Sequence, residues 1–307
     1  MSGQIKSYAS VDRWAFVRDG VRLLRGTRGA QAQIGEHVAR TITAVREGEK
    51  FVADRFGMTL ENRDALEIGV GQLPRQMACF ALRNRVTGID LDVAPQGLDI
   101  PAYWTMLRRN GPLRVTKTIV RKAMGFDRSF RREMARQLGV AKLPPTRALP
   151  MDASRMDFPD GSFDFIYSFD VFEHLPEPGP ILRDCARVLR PGGVFYTSLH
   201  PITTEDGFHD LRIIAGQRDG IAYWAHLRPE LKHTVAASSY LNEIRVADWR
   251  KTIDREMPGA TVELTVPENI EQLRRELADI RKTKGLADFT DDELLCRRLV
   301  VGWKKPA

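Results

Sequence analysis

No part of the chain constrains the fold more than residues 64–72, which read DALEIGVGQ. Leu66 and Ile68 lie in a short apolar run bounded by turn residues, as in a buried strand of a parallel sheet. Gly69 and Gly71 lack side chains where the backbone has to turn sharply and a ligand has to come close. A helix is predicted from about residue 72 to residue 82, and the free N–H groups at its start can face a polar or anionic group.

A second predicted strand, Arg85–Asp90, ends in a carboxylate that is placed to accept hydrogen bonds from both hydroxyls of a ribose. Together with the first strand and its helix it predicts a βαβ unit that binds a nucleoside. Glycine-rich turns of other α/β proteins bind other ligands, so the ligand stays open at this point. The nicotinamide fingerprint G-x-G-x-x-G is not matched, because Pro74 occupies the place of the third glycine.

Length and composition indicate a globular protein of 307 residues, enough for one large α/β domain with insertions or for a domain and a half. Its 43% hydrophobic and 28% charged residues are ordinary for a soluble protein, and no apolar run reaches the roughly 18 residues of a membrane-spanning helix. The first ten residues lack the apolar core of a signal peptide. Three widely spaced cysteines favour reduced thiols. These features predict a cytoplasmic protein.

The predicted elements divide the chain into residues 1–62, an N-terminal arm and helical lid, and residues 63–307, an α/β domain with insertions at 93–145 and 201–259. A helix is predicted over 31–56. Its pattern fits a lid on the following domain and a simple surface helix equally well. Strands are predicted near 146–151, 163–169, 194–199, 260–266 and 298–304. Helices are predicted over 177–189 and 268–282, and another through Ile244, Trp249 and Ile253; Thr290 and Glu293 predict the capping box of a short one.

The net charge of +7 is modest for this length, but basic residues are dense between Arg108 and Arg136. Such a run usually forms a solvated helical face. Its functional alternative is the attraction of an anionic substrate, such as a phosphate or carboxylate compound, or of a membrane surface. Tyr103 and Trp104 precede the run and either line a substrate pocket or form the small core of the insertion.

Four short motifs occur in order along the chain. They are EIGVG at 67–71, ID at 89–90, MDA at 151–153 with FPDGSFD at 158–164, and VLRPGG at 188–193. With the segment YSFDVFEHL at 167–175, this pattern resembles the class I S-adenosylmethionine-dependent methyltransferases over about residues 63–200. The resemblance implies a Rossmann-like, doubly wound α/β sheet of seven strands with an antiparallel last strand. Leu73 stands where the family often has a third glycine, so we expect the loop to depart from the family's usual shape at this position.

The resemblance also implies the cofactor S-adenosylmethionine and the residues that bind it. Glu67, Gly69 and Gly71 would shape the site for the methionine part, and Asp90 would bind the ribose. Asp152 and the Ala153 N–H would bind the adenine. Ser168 and Phe169 would lie near the sulfonium, where backbone carbonyls stabilise positive charge.

Methyl transfer to a hydroxyl needs a base that works near neutral pH, a task that suits histidine. His200 is the candidate, because it follows a strand whose carboxyl end faces the ligand crevice in this architecture; its alternative role is to order the next loop. Candidates for substrate binding are Tyr103, Trp104, His174, His209 and Tyr240, although Glu173 and His174 also suit a helix cap. Asp206, His209 and Asp210 carry donor atoms that suit a divalent metal, but their spacing matches no metal motif, and we predict none.

The sequence therefore predicts a cytoplasmic methyltransferase that acts on a small molecule, for which an anionic compound is one candidate, with a hydroxyl of a sugar or secondary metabolite as the acceptor. The first alternative is an RNA or protein methyltransferase that docks through its arginine-rich insertion. No RNA-binding module supports it, and we do not expect nucleic acid as a partner. The second alternative is a non-catalytic scaffold that keeps the nucleoside site. The sequence does not predict the oligomeric state.

Overall fold

The computed structural model of the chain describes residues 33–93, 100–123, 125–214, 216–283 and 285–307. Contacts between residues divide the chain into two units. The first comprises Met1–Phe51 and Val70–Pro150, and the second comprises Val52–Gly69 and Met151–Ala307. The predicted boundary between residues 62 and 63 stays a prediction, and the predicted arm over 1–30 lies outside the described residues.

The strands form one mixed sheet. They are β1 (Asp64–Ile68), β2 (Arg85–Asp90), β3 (Arg147–Pro150), β4 (Phe163–Phe169), β5 (Leu189–Leu199), β6 (Thr261–Thr265) and β7 (Arg298–Lys304). The sheet has seven strands in the order β3-β2-β1-β4-β5-β7-β6. β7 runs antiparallel to β5 and β6, whereas β2 and β3, β1 and β4, and β4 and β5 are parallel pairs. The predicted α/β sheet with an antiparallel last strand is confirmed.

The first unit contains β2, β3 and the helices α2 (Arg75–Phe80), α3 (Ile100–Ala123) and α4 (Phe126–Gln137), with the part of α1 (Ile34–Phe56) up to Phe51. α2 is shorter than predicted because it begins only after Pro74. α3 breaks at Gly111, which has a φ of 77°. α4 buries Phe130 and Met134. None of the helices that the structure describes is long and apolar enough to span a bilayer.

The second unit contains β1, β4, β5, β6 and β7 with five helices. Counting only the α-helices that begin in its described residues, these are α5 (Pro178–Val188), α6 (Leu211–Ile214), α7 (Val246–Glu256), α8 (Ile270–Lys282) and α9 (Asp291–Leu295). Its core lies on the central strands, where Leu66, Ile166, Phe195 and Leu299 have no exposed surface. The prediction that α7 includes Ile244 is wrong, because the backbone is still extended at Arg245.

β5 begins five residues earlier than predicted, at Leu189 rather than Val194. Phe163 pairs with Leu189 and Phe165 pairs with Val194, so the intervening residues form a bulge. A Cβ atom at Gly193 would lie 2.9 Å from the carbonyl oxygens of Arg190 and Asp164. The Pro-Gly-Gly segment that predicted the end of a helix therefore lies within the bulged start of the strand.

Two segments, 201–245 and 266–297, follow the carboxyl ends of β5 and β6, and we call them the cap. Both strands are antiparallel to β7, so their carboxyl ends point to the same edge of the sheet. The predicted capping box at the start of α9 is present, with Thr290 and Glu293 as partners. The cap has its own apolar cluster, consisting of Trp224, Leu273, Leu277, Leu286 and Leu294.

Candidate active site

The turn after β1 is shaped by Glu67 and Gly69. Glu67 has only 2% of its surface exposed, and it accepts a hydrogen bond of 2.9 Å from the hydroxyl of Tyr167. Gly69 has a φ of 76°, and a Cβ atom there would lie 2.4 Å from Cγ2 of Val171. A side chain at position 69 is therefore excluded by both the backbone and its neighbour, while β4 fixes the orientation of Glu67.

Asp90 lies at the carboxyl end of β2, where backbone N–H groups orient its carboxylate. Its Oδ2 atom accepts from the Gly71 N–H at 2.7 Å, and its Oδ1 atom accepts from the Asp92 N–H at 2.8 Å. Each carboxylate oxygen has two lone pairs, so each keeps one acceptor position after these contacts. Asp90 is thus held in one orientation and can still accept two hydroxyl groups.

The predicted adenine contacts lie in the loop after β3. Asp152 is exposed, and its Oδ1 atom accepts hydrogen bonds of 2.8 Å from both the backbone N–H and the hydroxyl of Ser154. Ala153 is half-buried between them. The local bonds fix the Asp152 side chain, and its second oxygen remains an acceptor for an amino group.

Ser168 and Phe169 lie at the end of β4. The Ser168 hydroxyl is fully buried and donates to the carbonyl of Ile68 at 2.9 Å. The ring of Phe169 is nearly buried, 5.5 Å from the ring of Tyr196. The Ser168 side chain is thus used within the sheet, and the role of the backbone carbonyls of these residues in cofactor binding stays a prediction.

A cluster of ionisable side chains follows β5 in the second unit. His200 Nε2 lies 2.8 Å from Oδ1 of Asp206, and His200 Nδ1 lies 3.2 Å from Nε2 of His209. Both ring nitrogens of His200 therefore have partners, and no side-chain nitrogen of His200 is left for a substrate. His209 differs from His200 in this respect. Within the described part of the chain, only its Nε2 atom has a hydrogen-bond partner, and its Nδ1 atom has none. We call Asp206, His200 and His209 the histidine relay.

His174 adds a third imidazole. Its ring centre lies 5.2 Å from that of His209, in an edge-on arrangement. Its Nδ1 atom lies 2.7 Å from the carbonyl oxygen of Tyr240, so Nδ1 carries the proton and Nε2 carries the free lone pair. The structure thus brings together His174, His200 and His209, together with the backbone of Tyr240, whose side chain is exposed.

The charges of the histidine relay follow from burial and from one another. Burial alone would lower the pKa of His200, but the Asp206 carboxylate outweighs it and raises this pKa. Burial would raise the pKa of Asp206, yet the hydrogen bond and charge of His200 lower it to about 2. Burial, followed by the charge of His200, lowers the pKa of His209 to about 4. Positive charge in the relay is therefore most stable on His200.

Two further charged groups, Asp170 and Arg298, lie beside the relay and were not predicted. Asp170 follows β4 with a φ of 55° and forms an ion pair with Arg298 at the start of β7. Glu173 is buried, and its Oε1 atom accepts from the backbone N–H of His200 at 3.3 Å. Its Oε2 atom has no partner among the described residues, and burial, followed by the charge of Asp170, raises the Glu173 pKa. The position of Asp170 directly after a strand was the signal available in the sequence.

Tyr103 and Trp104 belong to the first unit, on α3. The Lys122 ammonium lies 5.8 Å from the Tyr103 ring centre, and the Arg108 guanidinium lies 5.2 Å from that of Trp104. Trp104 has 55% of its surface exposed, so it is not part of a buried core. Their role in substrate binding stays a prediction.

Comparison with known proteins supports the interpretation of the motifs. Residues 110–197 match the model of a methyltransferase domain family, a range that contains β3, β4 and most of β5. The predicted resemblance to the class I methyltransferases is confirmed. The match also supports the two predictions that depend on the family, namely an enzyme of the methyltransferase class and the cofactor S-adenosylmethionine.

Individual methyltransferases resemble short parts of this chain. The 27-O-demethylrifamycin SV methyltransferase of Amycolatopsis mediterranei is 43% identical over 14% of this chain and 15% of its own length. The ubiquinone biosynthesis O-methyltransferase of Xanthomonas oryzae pv. oryzae is 27% identical over 35% of this chain and 41% of its own length. The chain thus spans less than half the length of these curated relatives. Phosphoethanolamine N-methyltransferase 2 of Haemonchus contortus, solved with S-adenosyl-L-methionine, is 15% identical, with a TM-score of 0.43 over 84% of this chain and 52% of that one.

Asp210, which like Asp206 and His209 carries a donor suited to a metal, has other partners. Its carboxylate pairs with Arg212 at 2.6 Å and accepts from the Ala236 N–H at 2.9 Å. Among the described residues, no group of three or more metal-binding side chains is arranged to hold an ion. Asp210 instead links α6 to the following part of the cap.

The arginine-rich segment is partly used within the first unit. Arg131 donates to the carbonyl of Pro144 at 2.9 Å, and Arg136 pairs with Glu133 at 2.6 Å. Arg128 and Arg132 are exposed. Some of the basic side chains thus stabilise the insertion itself, and this observation does not favour docking of RNA.

Proposed function

We propose that this chain transfers the methyl group of S-adenosylmethionine to a hydroxyl of a small molecule, with a sugar or secondary metabolite as the expected class of acceptor. The observation that carries the proposal is the histidine relay at the end of β5, because a hydroxyl acceptor has to lose a proton to a base. The names of the two curated relatives, one acting on a rifamycin and one in ubiquinone biosynthesis, support a small-molecule acceptor.

The residues near β1 and β2 suit the cofactor. Asp90 offers two oriented acceptor positions to the ribose hydroxyls, and the turn of Gly69 and Gly71 carries no side chain that would obstruct the methionine part. Asp152 and Ala153 would bind the adenine, and the carbonyls of Ser168 and Phe169 would stabilise the sulfonium. When bound, the cofactor supplies an electrophilic methyl group on a good leaving group, so the protein mainly has to align the acceptor and exclude water.

The histidine relay supplies the base. With His200 neutral, its Nε2–H donates to Asp206 and its Nδ1 accepts from the Nε2–H of His209, which leaves the lone pair of His209 on Nδ1. The acceptor hydroxyl gives its proton to Nδ1 of His209, while the Nε2 proton of His209 passes to Nδ1 of His200. The resulting charge on His200 is stabilised by Asp206 at 2.8 Å. His200, the base predicted from the sequence, thus holds the proton without touching the acceptor.

The remaining predicted substrate contacts have different parts in this proposal. His174, whose ring centre lies 5.2 Å from that of His209, would contact the acceptor beside the reacting hydroxyl. Tyr240 contributes its carbonyl, which fixes the tautomer of His174. The part of Tyr103 and Trp104 in substrate binding stays a prediction.

Calorimetric titration with S-adenosylmethionine and S-adenosylhomocysteine tests the cofactor assignment. We expect micromolar binding of both, and a loss of at least about tenfold in affinity for Asp90→Ala, because two hydrogen bonds to the ribose disappear. Asp219→Ala, at an exposed aspartate of the cap, serves as the matched control and should bind as the parent does. Normal binding by Asp90→Ala would overturn the assignment of Asp90, and absence of binding by the parent would overturn the assignment of the cofactor.

Transfer itself is tested with radiolabelled methyl donor and a panel of hydroxylated small molecules. His209→Gln should abolish transfer to any acceptor found while leaving cofactor affinity unchanged. Full activity of this variant would exclude the histidine relay as the base.

A further inference from the structure

The cap contains a cavity of about 170 Å³ that is separate from the residues assigned to the cofactor. For comparison, a cavity of about 150 Å³ accommodates benzene in a protein core. The space is therefore suited to a single six-membered ring. Its lining includes Phe208, His226, Lys232, Arg245 and Phe289.

The walls of the cavity are aromatic. The rings of Phe208 and His226 lie 5.5 Å apart at an angle of 10°, and Nε2 of His226 lies 2.7 Å from the carbonyl oxygen of Ile202, which fixes the imidazole. Phe289 is covered on one side by the guanidinium of Arg245, 4.5 Å from its ring centre. Burial lowers the pKa of His226 to about 4, so this ring is neutral at pH 7. Fixed, neutral aromatic surfaces favour a flat ring as ligand.

The rim of the cavity carries a cation that is only loosely paired. Lys232 Nζ lies 3.9 Å from Oε1 of Glu243, and the two side chains are 55% and 62% exposed. Arg245, by contrast, is held by Glu293 and by the carbonyl of Asp288. An ammonium has three N–H donors, so Lys232 can still bind a carboxylate. Glu243 itself has a φ of 53°, a backbone strain of the kind that clusters at ligand sites.

The cavity adjoins the histidine relay. Phe208 precedes His209 directly in the sequence, and Ile202, which binds His226, lies in the same loop between His200 and His209. The charges of Asp206 and His200 also act on His226, which places this ring within electrostatic range of the relay. A ligand of the cavity would therefore lie beside the groups that accept a proton in the proposed function.

We propose that this cavity binds a single-ring aromatic anion that carries a hydroxyl group, with its ring between the aromatic walls and its carboxylate at Lys232. One part of the inference rests on the proposed function. In that part, the bound molecule is the methyl acceptor and presents its hydroxyl to the histidine relay. The binding site itself does not depend on that function.

Direct calorimetric titration without cofactor tests the site, with 4-hydroxybenzoate as the probe. We expect binding that weakens about fivefold in Lys232→Met, in keeping with one exposed charge pair. Lys251→Met, which removes a lysine paired with Asp248 on α7, is the matched control and should leave the affinity unchanged. Glu243→Gln should bind the probe more tightly, because it removes the competing carboxylate. Equal affinity of the parent and Lys232→Met would overturn the proposal.

Two analogues separate the roles of charge and ring. 4-Hydroxybenzamide keeps the ring but loses the charge, and it should bind the parent weakly and be insensitive to Lys232→Met. 4-Hydroxycyclohexanecarboxylate keeps the charge but loses the flat ring, and it should also bind weakly. Equal binding of this saturated analogue would overturn the aromatic assignment.

The outcomes also separate this proposal from the proposed function. Binding of 4-hydroxybenzoate that depends on Lys232, in a protein that binds no S-adenosylmethionine, would support the site and refute the methyltransferase. Methyl transfer to other hydroxyl compounds, with no binding of the aromatic anion, would support the methyltransferase and refute the site.

Discussion

The imidazole of His200 is hydrogen-bonded through Nε2 to the carboxylate of Asp206, at a distance of 2.8 Å. This contact raises the pKa of His200 against the effect of burial. Since the relay accepts a proton only while His200 is neutral, activity should rise with pH through this raised pKa. The rising limb of the pH profile of kcat/KM therefore reports on the pair.

Asp206→Asn should shift that limb to lower pH. The amide no longer stabilises the imidazolium, so the pKa of His200 falls, and the maximal rate falls as well because the proton is held less firmly. Titration of the histidine resonances by NMR measures the pKa without any acceptor. Asp219→Asn is the control, and an unchanged His200 pKa in Asp206→Asn would show that the contact does not act as described.

Gly69→Ala should be more destabilising than Gly71→Ala. Both glycines have positive φ, for which an alanine costs about 1 kcal/mol. At Gly69 the new methyl group would also lie 2.4 Å from Val171, whereas at Gly71 no atom lies within 4 Å. Urea denaturation should show an additional loss of about 1–2 kcal/mol for Gly69→Ala. Val171→Ala in the same chain should recover part of this difference but none of the backbone cost, and full additivity of the two changes would contradict the steric explanation.

Tyr167→Phe should reduce the free energy of unfolding by about 1–2 kcal/mol, because it removes a donor from the buried carboxylate of Glu67. The ring itself remains and keeps its packing in β4. Tyr240→Phe provides the comparison, since this side chain is 54% exposed and should change stability little. Equal stabilities of the two variants in chemical denaturation would argue against a role of the hydrogen bond.

Acid should weaken the cap through His226. The pKa of about 4 in the folded chain lies below the usual histidine value of 6.5, so the unfolded chain binds more protons between these values. Stability therefore falls as the pH drops from 6.5 toward 4, by about 3 kcal/mol for a shift of this size. His226→Gln keeps a donor for Ile202 but cannot take up the proton. The difference between the pH–stability curves of parent and variant isolates this contribution from those of His200, Asp206 and Lys232.

The sequence predicted the sheet well because its signals are local. β4 and β7 begin and end at the predicted residues, since each is a compact apolar run between turn residues. The predicted start of β5 was wrong because proline and glycine usually end helices and strands. Here the strand continues through them as a bulge, which depends on pairing with β4. Local sequence patterns do not predict which strand of the sheet pairs with which.

The candidate site was predicted in its parts but not in its connections. His200, His209 and His174 were each candidates, yet the sequence does not show that Asp206 occupies one nitrogen of His200 and His209 the other. Arg298 was missed because its partner Asp170 is distant in sequence. Phe289 lines the cavity of the cap and lies in the segment after β6. That segment belongs to neither predicted insertion, so the cavity was not predicted.

Glu293 links the two halves of the cap, because the same carboxylate closes the capping box of α9 and holds Arg245 at the cavity wall. A ligand ring that packs against Phe289 and Arg245 would therefore hold the guanidinium on Glu293 and stabilise the first turn of that helix. The backbone amide of Thr290, which donates to Glu293, would then exchange with solvent deuterium more slowly when the cavity is filled. The first turn of α9 is thus a natural reporter of occupancy, readable in a protein that carries no label.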